Sequence, residues 1–349
     1  MRRALAIIVM LGTFAGLWAY HRWQADHTLI VHRLQGWTMG STWQVNAVGP
    51  ASLDPFPLKA AIDAELATLD QQLSGYRDTA ELSRFNRAPV GEWQPLPPHL
   101  AAVLQFGQQL NRESEGAFDL SVKPLVNLWG FGAAEPRSTV STAAEIQAAR
   151  ARLGSGQLEL DAPVGAAQGM RGRRRSDVGL DVDAIAPGYA ADVISDLLQR
   201  RSLAAHMVDI GGELRVRGLR PDGTRWRIGV EHPVPERGRI QKVIHVTDTG
   251  IATSGDYRDF VEIAGRRYSH TIDPATGQPV NHALASVTVL APTGMQADGY
   301  ATVLMVLGPE RGMRWADARG IGVFMLLRDG RGGYVERYNA AFAPVLAPE

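Results

Sequence analysis

Apolar residues fall at helical spacing over residues 57–73, where Leu58, Ile62, Leu66, Leu69 and Leu73 share one face and Pro57 suits a first turn. The same periodicity predicts helices over 97–114, opened by prolines and stopped by Gly116, and over 141–153, opened by a Ser/Thr cap with Glu145 in its first turn. Further helices are predicted over 187–203, with Pro187 at the start, over 298–307, ended by Gly308-Pro309, and over 310–319. Alternating or β-rich runs predict strands over 42–48, 158–160, 178–182, 207–210, 214–217, 226–230, 242–247, 251–254, 261–263, 268–272, 286–290 and 322–327. The pair 207–210 and 214–217, joined through Gly211-Gly212, reads as a hairpin. A short helix capped by Thr79 is expected after the polar stretch 74–78, and Met39-Gly40-Ser41 reads as a turn. Strands arrive in hairpin-like series, without strict β–α alternation. That pattern predicts a mixed α+β fold with largely antiparallel sheets and helices on one face. Residues 165–177, with glycine and the arginines Arg171, Arg173, Arg174 and Arg175, read as a basic, flexible loop.

Composition narrows the class. The 349 residues are 45% hydrophobic and 21% charged with zero formal net charge, ordinary for a globular chain and without the basic surplus a nucleic-acid binder needs. Cysteine is absent, which excludes disulfides, thiolate nucleophiles, Cys-ligated metals and lipid-modified cysteine. At the N-terminus Arg2 and Arg3 precede an uncharged run over 4–20, followed by His21, Arg22 and Trp23. A positive flank, an apolar stretch and Trp18, Tyr20 and Trp23 at its far end predict an uncleaved signal anchor over 1–23. The arginines are then expected in the cytoplasm and the globular part on the outer face. Residues 24–36 read as a linker, and 37–349 as one domain.

Candidate chemistry gathers in two stretches, YSHTIDPATGQPV (268–280) and QADGYATVLMVLG (296–308). Asp298 and Thr302 are four residues apart, hence on one helical face, and their oxygens suit Mg²⁺ better than zinc. Equally, Asp298 could cap its helix and Thr302 could bond back within it. His270, between Ser269 and Thr271, falls in a predicted strand, where a histidine is more often structural. Asp273-Pro274-Ala275-Thr276-Gly277 is a turn signal, and Gly211-Gly212 could admit a phosphate as readily as close a hairpin. The phosphate loop GxxxxGK[ST], a GxGxxG in a β–α–β setting, the GxSxG elbow and the HExxH pair are all missing.

Eight segments in order carry the reading further: TMGSTWQV, LSGYRDTAELSRFN, GAFDLSVKPLVNLWGFG, LDVDAIAPGYAAD, VDIGGELRVRG, IATSGDY, YSHTIDPATGQPV and ADGYATVLMVLG. Together, over about residues 38–308, they resemble the ApbE family of FAD:protein FMN transferases. The resemblance implies a T-fold-related α+β architecture with its site in a central cleft. It implies an exported, Mg²⁺-dependent enzyme that moves the FMN half of FAD onto a Ser/Thr hydroxyl of a target protein and leaves AMP. The implied targets are subunits of membrane redox complexes of the Rnf or NADH:quinone reductase type. The implied location is the bacterial inner membrane, with the domain facing the periplasm. By the same resemblance Met39, Tyr76, Ala117, Phe118, Asp119, Asp181 and Ile272 would contact FAD. Asp298 and Thr302, with the Ala184 carbonyl and Ala301 alongside, would hold Mg²⁺, and His270 matches the proposed catalytic histidine. An imidazole there could take the proton of the attacking hydroxyl. One position departs: the family commonly has lysine where this chain has Pro187. The basic run 171–175 is then a candidate source of the missing charge. Two other functions fit the same residues, an FAD pyrophosphatase using water as acceptor and a non-enzymatic, membrane-anchored flavin-binding or assembly protein.

Overall fold

The computed structural model describes residues 24, 26–131, 139–161, 169–234, 238–257, 260–263 and 265–346, together with 10, 13, 14, 16–18 and 20. In chain order the strands are β1 (Leu29–Thr38), β2 (Ser41–Pro50), β3 (Gln94–Pro95), β4 (Leu158–Asp161), β5 (Arg171–Arg174), β6 (His206–Ile210), β7 (Glu213–Arg217), β8 (Trp226–Glu231) and β9 (Ile240–Val246). They continue as β10 (Thr249–Gly255), β11 (Phe260–Ile263), β12 (Arg266–Ser269), β13 (Ile272–Asp273), β14 (Gln278–Pro279), β15 (Leu284–Ala291), β16 (Gly322–Arg328) and β17 (Tyr334–Tyr338). The helices that follow β1 are α1 (Pro55–Leu73), α2 (Glu81–Arg87), α3 (Pro98–Glu113), α4 (Lys123–Leu128), α5 (Ala143–Arg150), α6 (Ala186–Arg200) and α7 (Gly294–Asp317).

An eight-stranded sheet in the order β1-β2-β6-β7-β10-β15-β16-β17 organises the chain, and every neighbouring pair in it is antiparallel. The period-2 alternation of strand side chains sorts its residues between two cores. Val287 and Val289 of β15 and Val323 and Met325 of β16 face α7, among Ala297, Ala301, Leu304 and Met305. Leu214 and Val216 of β7 and Phe324 and Leu326 of β16 face the other way, against Trp226, Ile228, Ile244 and Val246 of the β8–β9 hairpin. Burial on both faces explains why β15 and β16 read as nearly unbroken apolar runs. A third core joins Leu58, Ile62, Leu66 and Leu69 of α1 to Leu100 and Leu104 of α3 and to Ala190, Ile194 and Leu198 of α6. The mixed, largely antiparallel α+β class is the one expected, with α6 and α7 covering one face.

Several local readings are corrected. Most of the stretch read as a linker, 24–36, belongs to β1, an edge strand whose exposed Leu29 and Ile30 hide the usual alternation. The β1–β2 hairpin turns on Met39 (φ 46°) and Gly40 (φ 71°), the left-handed pair that a tight two-residue hairpin requires. Ala80, not Thr79, precedes α2, and no side chain caps it. Residues 178–182 join no ladder among the described residues; the Asp181 N–H donates instead to the Leu120 carbonyl. The basic loop is partly strand β5, paired with β3 and β4, while 162–168 lie outside the described residues. The predicted strand 268–272 breaks between β12 and β13, so His270 sits at a bend. The anchor expected over 1–23 falls mostly outside the described residues; among the described ones, no helix is long and apolar enough to cross a membrane.

Helix α7 carries Gly308 at φ 72° followed by Pro309. Proline has no N–H to give the carbonyl one turn back, that of Met305. His282 Nε2 fills the gap at 2.8 Å from that carbonyl oxygen. Because a carbonyl only accepts, Nε2 must carry the proton.

Candidate functional site

A cavity of about 770 Å³ opens where Asp183 and Ala184 ahead of α6, the Asp298–Thr302–Val306 face of α7, the β6–β7 turn, β10, the segment 117–131 and the stretch around His270 converge. Its carboxylate end is built by a close crossing of two helices. A Cβ on Gly188 would lie 2.4 Å from the Gly294 carbonyl oxygen, so only glycine lets α6 and α7 approach this closely. First-turn N–H groups of a helix have no partner within it. At this crossing each helix supplies the other's. Asp192 of α6 accepts from the N–H groups of Gly294 and Met295 at 2.8 and 2.9 Å, and Asp298 of α7 accepts from the N–H of Gly188 at 3.0 Å. Pro187 occupies a first-turn position where no N–H is needed.

Asp298 is buried, and burial first, then the neighbouring carboxylates Glu213 and Asp192, push its pKa well above the usual carboxylate range against the pull of the Gly188 N–H. Glu213, at the start of β7, is pushed up to about 8 by burial and by Asp209. At the mouth, Tyr76 is 64% exposed and its hydroxyl donates to Asp183 at 2.7 Å. Enclosure by the protein and the adjacent Asp181 raise Asp183 to about 6, partly offset by Tyr76 and Lys123. The lining thus includes Asp119, Asp181, Asp183, Glu213 and Asp298. Among the described residues Lys123 is the one lysine or arginine that faces them.

His270 lines the same cavity. Trp129 follows α4, donates from Nε1 to the Gly277 carbonyl at 2.9 Å, and stacks on Tyr268 with ring centroids 5.5 Å apart. Phe131 meets the His270 imidazole edge-on at 6.3 Å. The aromatic segment LWGF therefore pins the histidine stretch, which is the physical reason for its composition. Asp119 Oδ1 accepts from the Ser121 N–H at 2.7 Å and from the hydroxyls of Ser121 and Ser155, which fixes the turn between α3 and α4.

Of the residues expected at a site, Tyr76, Ala117, Phe118, Asp119, Asp181, Ala184, His270, Ile272, Asp298 and Thr302 line this one cavity. Met39 does not: it lies at the β1–β2 turn and packs partly against the main core. Ala301 is fully buried beside Thr302 in the core under β15 and β16. Sequence reading missed Lys123, Asp183 and Glu213; each lies inside a quoted segment, but only the fold aims them inward. The basic run does not reach the cavity lining. Arg171 pairs with Asp161, Arg173 and Arg175 pair with Glu159, and buried Arg174 donates to the carbonyls of Ala88 and Val178.

The family model for the ApbE family matches residues 39–325. A protein of Vibrio cholerae serotype O1 named FAD:protein FMN transferase is 40% identical over 315 residues, 90% of this chain and 92% of its own. Another of that name, from Escherichia coli K12, is 34% identical over 304 residues, 87% of this chain and 86% of its own. Among solved structures, the Pseudomonas stutzeri flavinyl transferase ApbE in its apo form superposes with a TM-score of 0.81 at 40% identity, covering 92% of this chain and 98% of that one.

Proposed function

The chain belongs to the ApbE family, and on that premise we propose that it transfers the FMN half of FAD to a Ser/Thr hydroxyl of a target protein. The hydroxyl oxygen attacks the phosphorus of the FMN half. A phosphoester bond forms, the bond to the other phosphate breaks, and AMP leaves. His270, which lines the same cavity, would take the hydroxyl proton. Tyr76, Ala117, Phe118, Asp119, Asp181 and Ile272 would line the bound FAD, and Met39, at the β1–β2 turn outside the cavity lining, would have to reach it from there.

The observation that carries this reading is the charge of the cavity. A dianionic diphosphate beside the carboxylates of Asp119, Asp181 and Asp183 calls for neutralising cations, and a bound cation would take the place of the protons that burial favours on Glu213 and Asp298. The donor set is all oxygen, which fits Mg²⁺. Asp298, Thr302 and the Ala184 carbonyl would hold the ion, since Ala184 lines the cavity one turn before Gly188, whose N–H turns to Asp298. Ala301 would support Thr302 only by packing. When bound, Mg²⁺ supplies charge neutralisation at the diphosphate. The N-terminal segment would anchor the chain in the inner membrane, with the domain on the periplasmic side. The targets would be subunits of Rnf- or NADH:quinone reductase-type complexes.

The test is to incubate the protein with FAD, Mg²⁺ and candidate redox subunits and to read covalent FMN on a Ser/Thr peptide by mass spectrometry. Modification that needs all three components is expected, with AMP formed in equal amount. Release of FMN and AMP at full rate without any acceptor, and no modified peptide with one, would replace this reading with hydrolysis. A His270→Ala variant that flavinylates at the parental rate removes the proton-transfer role.

A further inference from the structure

Among the described residues the cavity lining has one ammonium group, where its chemistry calls for positive charge. Lys123 opens α4, and its Nζ lies 3.7 Å from Asp181 Oδ2, 3.5 Å from the Gly75 carbonyl oxygen and 5.1 Å from the centre of the Tyr76 ring. Those two oxygen contacts are long, and a lysine has three N–H donors on a flexible stem. The side chain is 24% exposed, on the cavity side of the mouth beside Asp181 and Asp183. The amine also lies close to the backbone of the preceding loop: a Cβ built on Gly75 would come 3.1 Å from Nζ. The residues that could have offered charge elsewhere are committed. Pro187 has none to give, and Arg171, Arg173 and Arg175 are held by carboxylates of β4.

We propose that Lys123 is a substrate-binding residue of this chain, whose ammonium leaves Asp181 to contact the diphosphate of FAD. The inference rests on the functional reading above. Asp181 and the Tyr76 ring keep the amine near the mouth before the ligand arrives, and an incoming phosphate oxygen offers a shorter, charge-assisted bond than either present oxygen partner. The structure thereby assigns to the first turn of α4 a charge that the α6 helix start lacks.

The experiment measures FAD dissociation constants by titration calorimetry, with Mg²⁺ present and over a series of salt concentrations, for the parent, Lys123→Met and Lys123→Arg. Lys123→Met is expected to bind FAD about tenfold more weakly at low salt, with a shallower salt dependence because one ionic contact is gone. Lys123→Arg is expected to recover most of the loss. An unchanged constant in Lys123→Met, a loss with the parental salt slope, or no recovery in Lys123→Arg would overturn the assignment, because each marks a packing role or none. A parent protein that binds no FAD would overturn the functional reading itself, and this inference with it.

Discussion

Replacing Gly188 by alanine tests the helix crossing that builds the site. The new methyl would start 2.4 Å from the Gly294 carbonyl oxygen and 2.8 Å from Asp298 Cβ, whereas ordinary contact begins near 3.4 Å. Helices α6 and α7 must part by about 1 Å to admit it, since backbone and Cβ atoms cannot swing aside. Overpacking of this kind costs about 1–3 kcal/mol. The 3.0 Å bond from the Gly188 N–H to Asp298 stretches by the same movement, and a buried polar group left unpaired adds about 1–3 kcal/mol. The sum, about 2–6 kcal/mol, lowers the melting temperature by on the order of 10 °C in a domain of this size. The assay is thermal or urea unfolding followed by circular dichroism, with Gly156→Ala as the control. Gly156 has no atom within 4 Å of a built Cβ, so alanine there should be neutral or slightly stabilising. A Gly188→Ala protein that melts within about 2 °C of the parent would refute the reasoning.

His206 is fully buried, with Nε2 2.7 Å from the Ser195 hydroxyl and Nδ1 2.8 Å from the Leu203 carbonyl, and burial pushes its pKa from 6.5 down to about 4. The unfolded chain therefore binds the extra proton first: this contribution is whole above pH 6.5 and is lost as pH falls toward 4, about 3 kcal/mol in all. Unfolding free energies against pH should be flatter in His206→Gln by that amount, and parallel curves would contradict the assignment. His282→Ala leaves the Met305 carbonyl without its donor at the Pro309 break and should cost about 1–3 kcal/mol in chemical unfolding; a change under about 0.5 kcal/mol would show that water replaces the imidazole. Under the proposed Mg²⁺ assignment, Asp298→Asn should raise the Mg²⁺ concentration needed for flavinylation at least tenfold, about 1.4 kcal/mol of lost ligand charge; an unchanged Mg²⁺ response removes Asp298 from the proposed metal site.

Much of the framework is legible because burial writes itself into period. The helix over 57–73 and the strands over 286–290 and 322–327 each bury one face or both, and their apolar positions say so. What escaped was set by partners distant in sequence. Residues 171–174 look like a solvated loop because four of their side chains in a row are glycine or arginine, yet β4 answers the charges with Asp161 and Glu159. Helix α4 is only six residues long, too short for a periodicity to declare itself. Residues 178–182 have a strand's composition, but the Asn86 side chain and the Leu120 carbonyl take their backbone bonds, and composition cannot report that. At the site, the quoted segments placed Asp298, Thr302 and His270 in one cavity, while Lys123, Asp183 and Glu213 read as spacers until the chain folds around them.

The mutual capping of α6 and α7 bears on how the region opens. Amides in the first turn of a helix ordinarily exchange with solvent freely, for want of a carbonyl partner. Here those of Gly188, Gly294 and Met295 are each held by a carboxylate of the other helix. Loosening either helix releases the amides of both, so these three hydrogens should exchange slowly and at a common rate, as one cooperative unit. The side chain assigned to hold the metal is also a clasp between helices, so a ligand that grips Asp298 will change the opening of residues a full helix away.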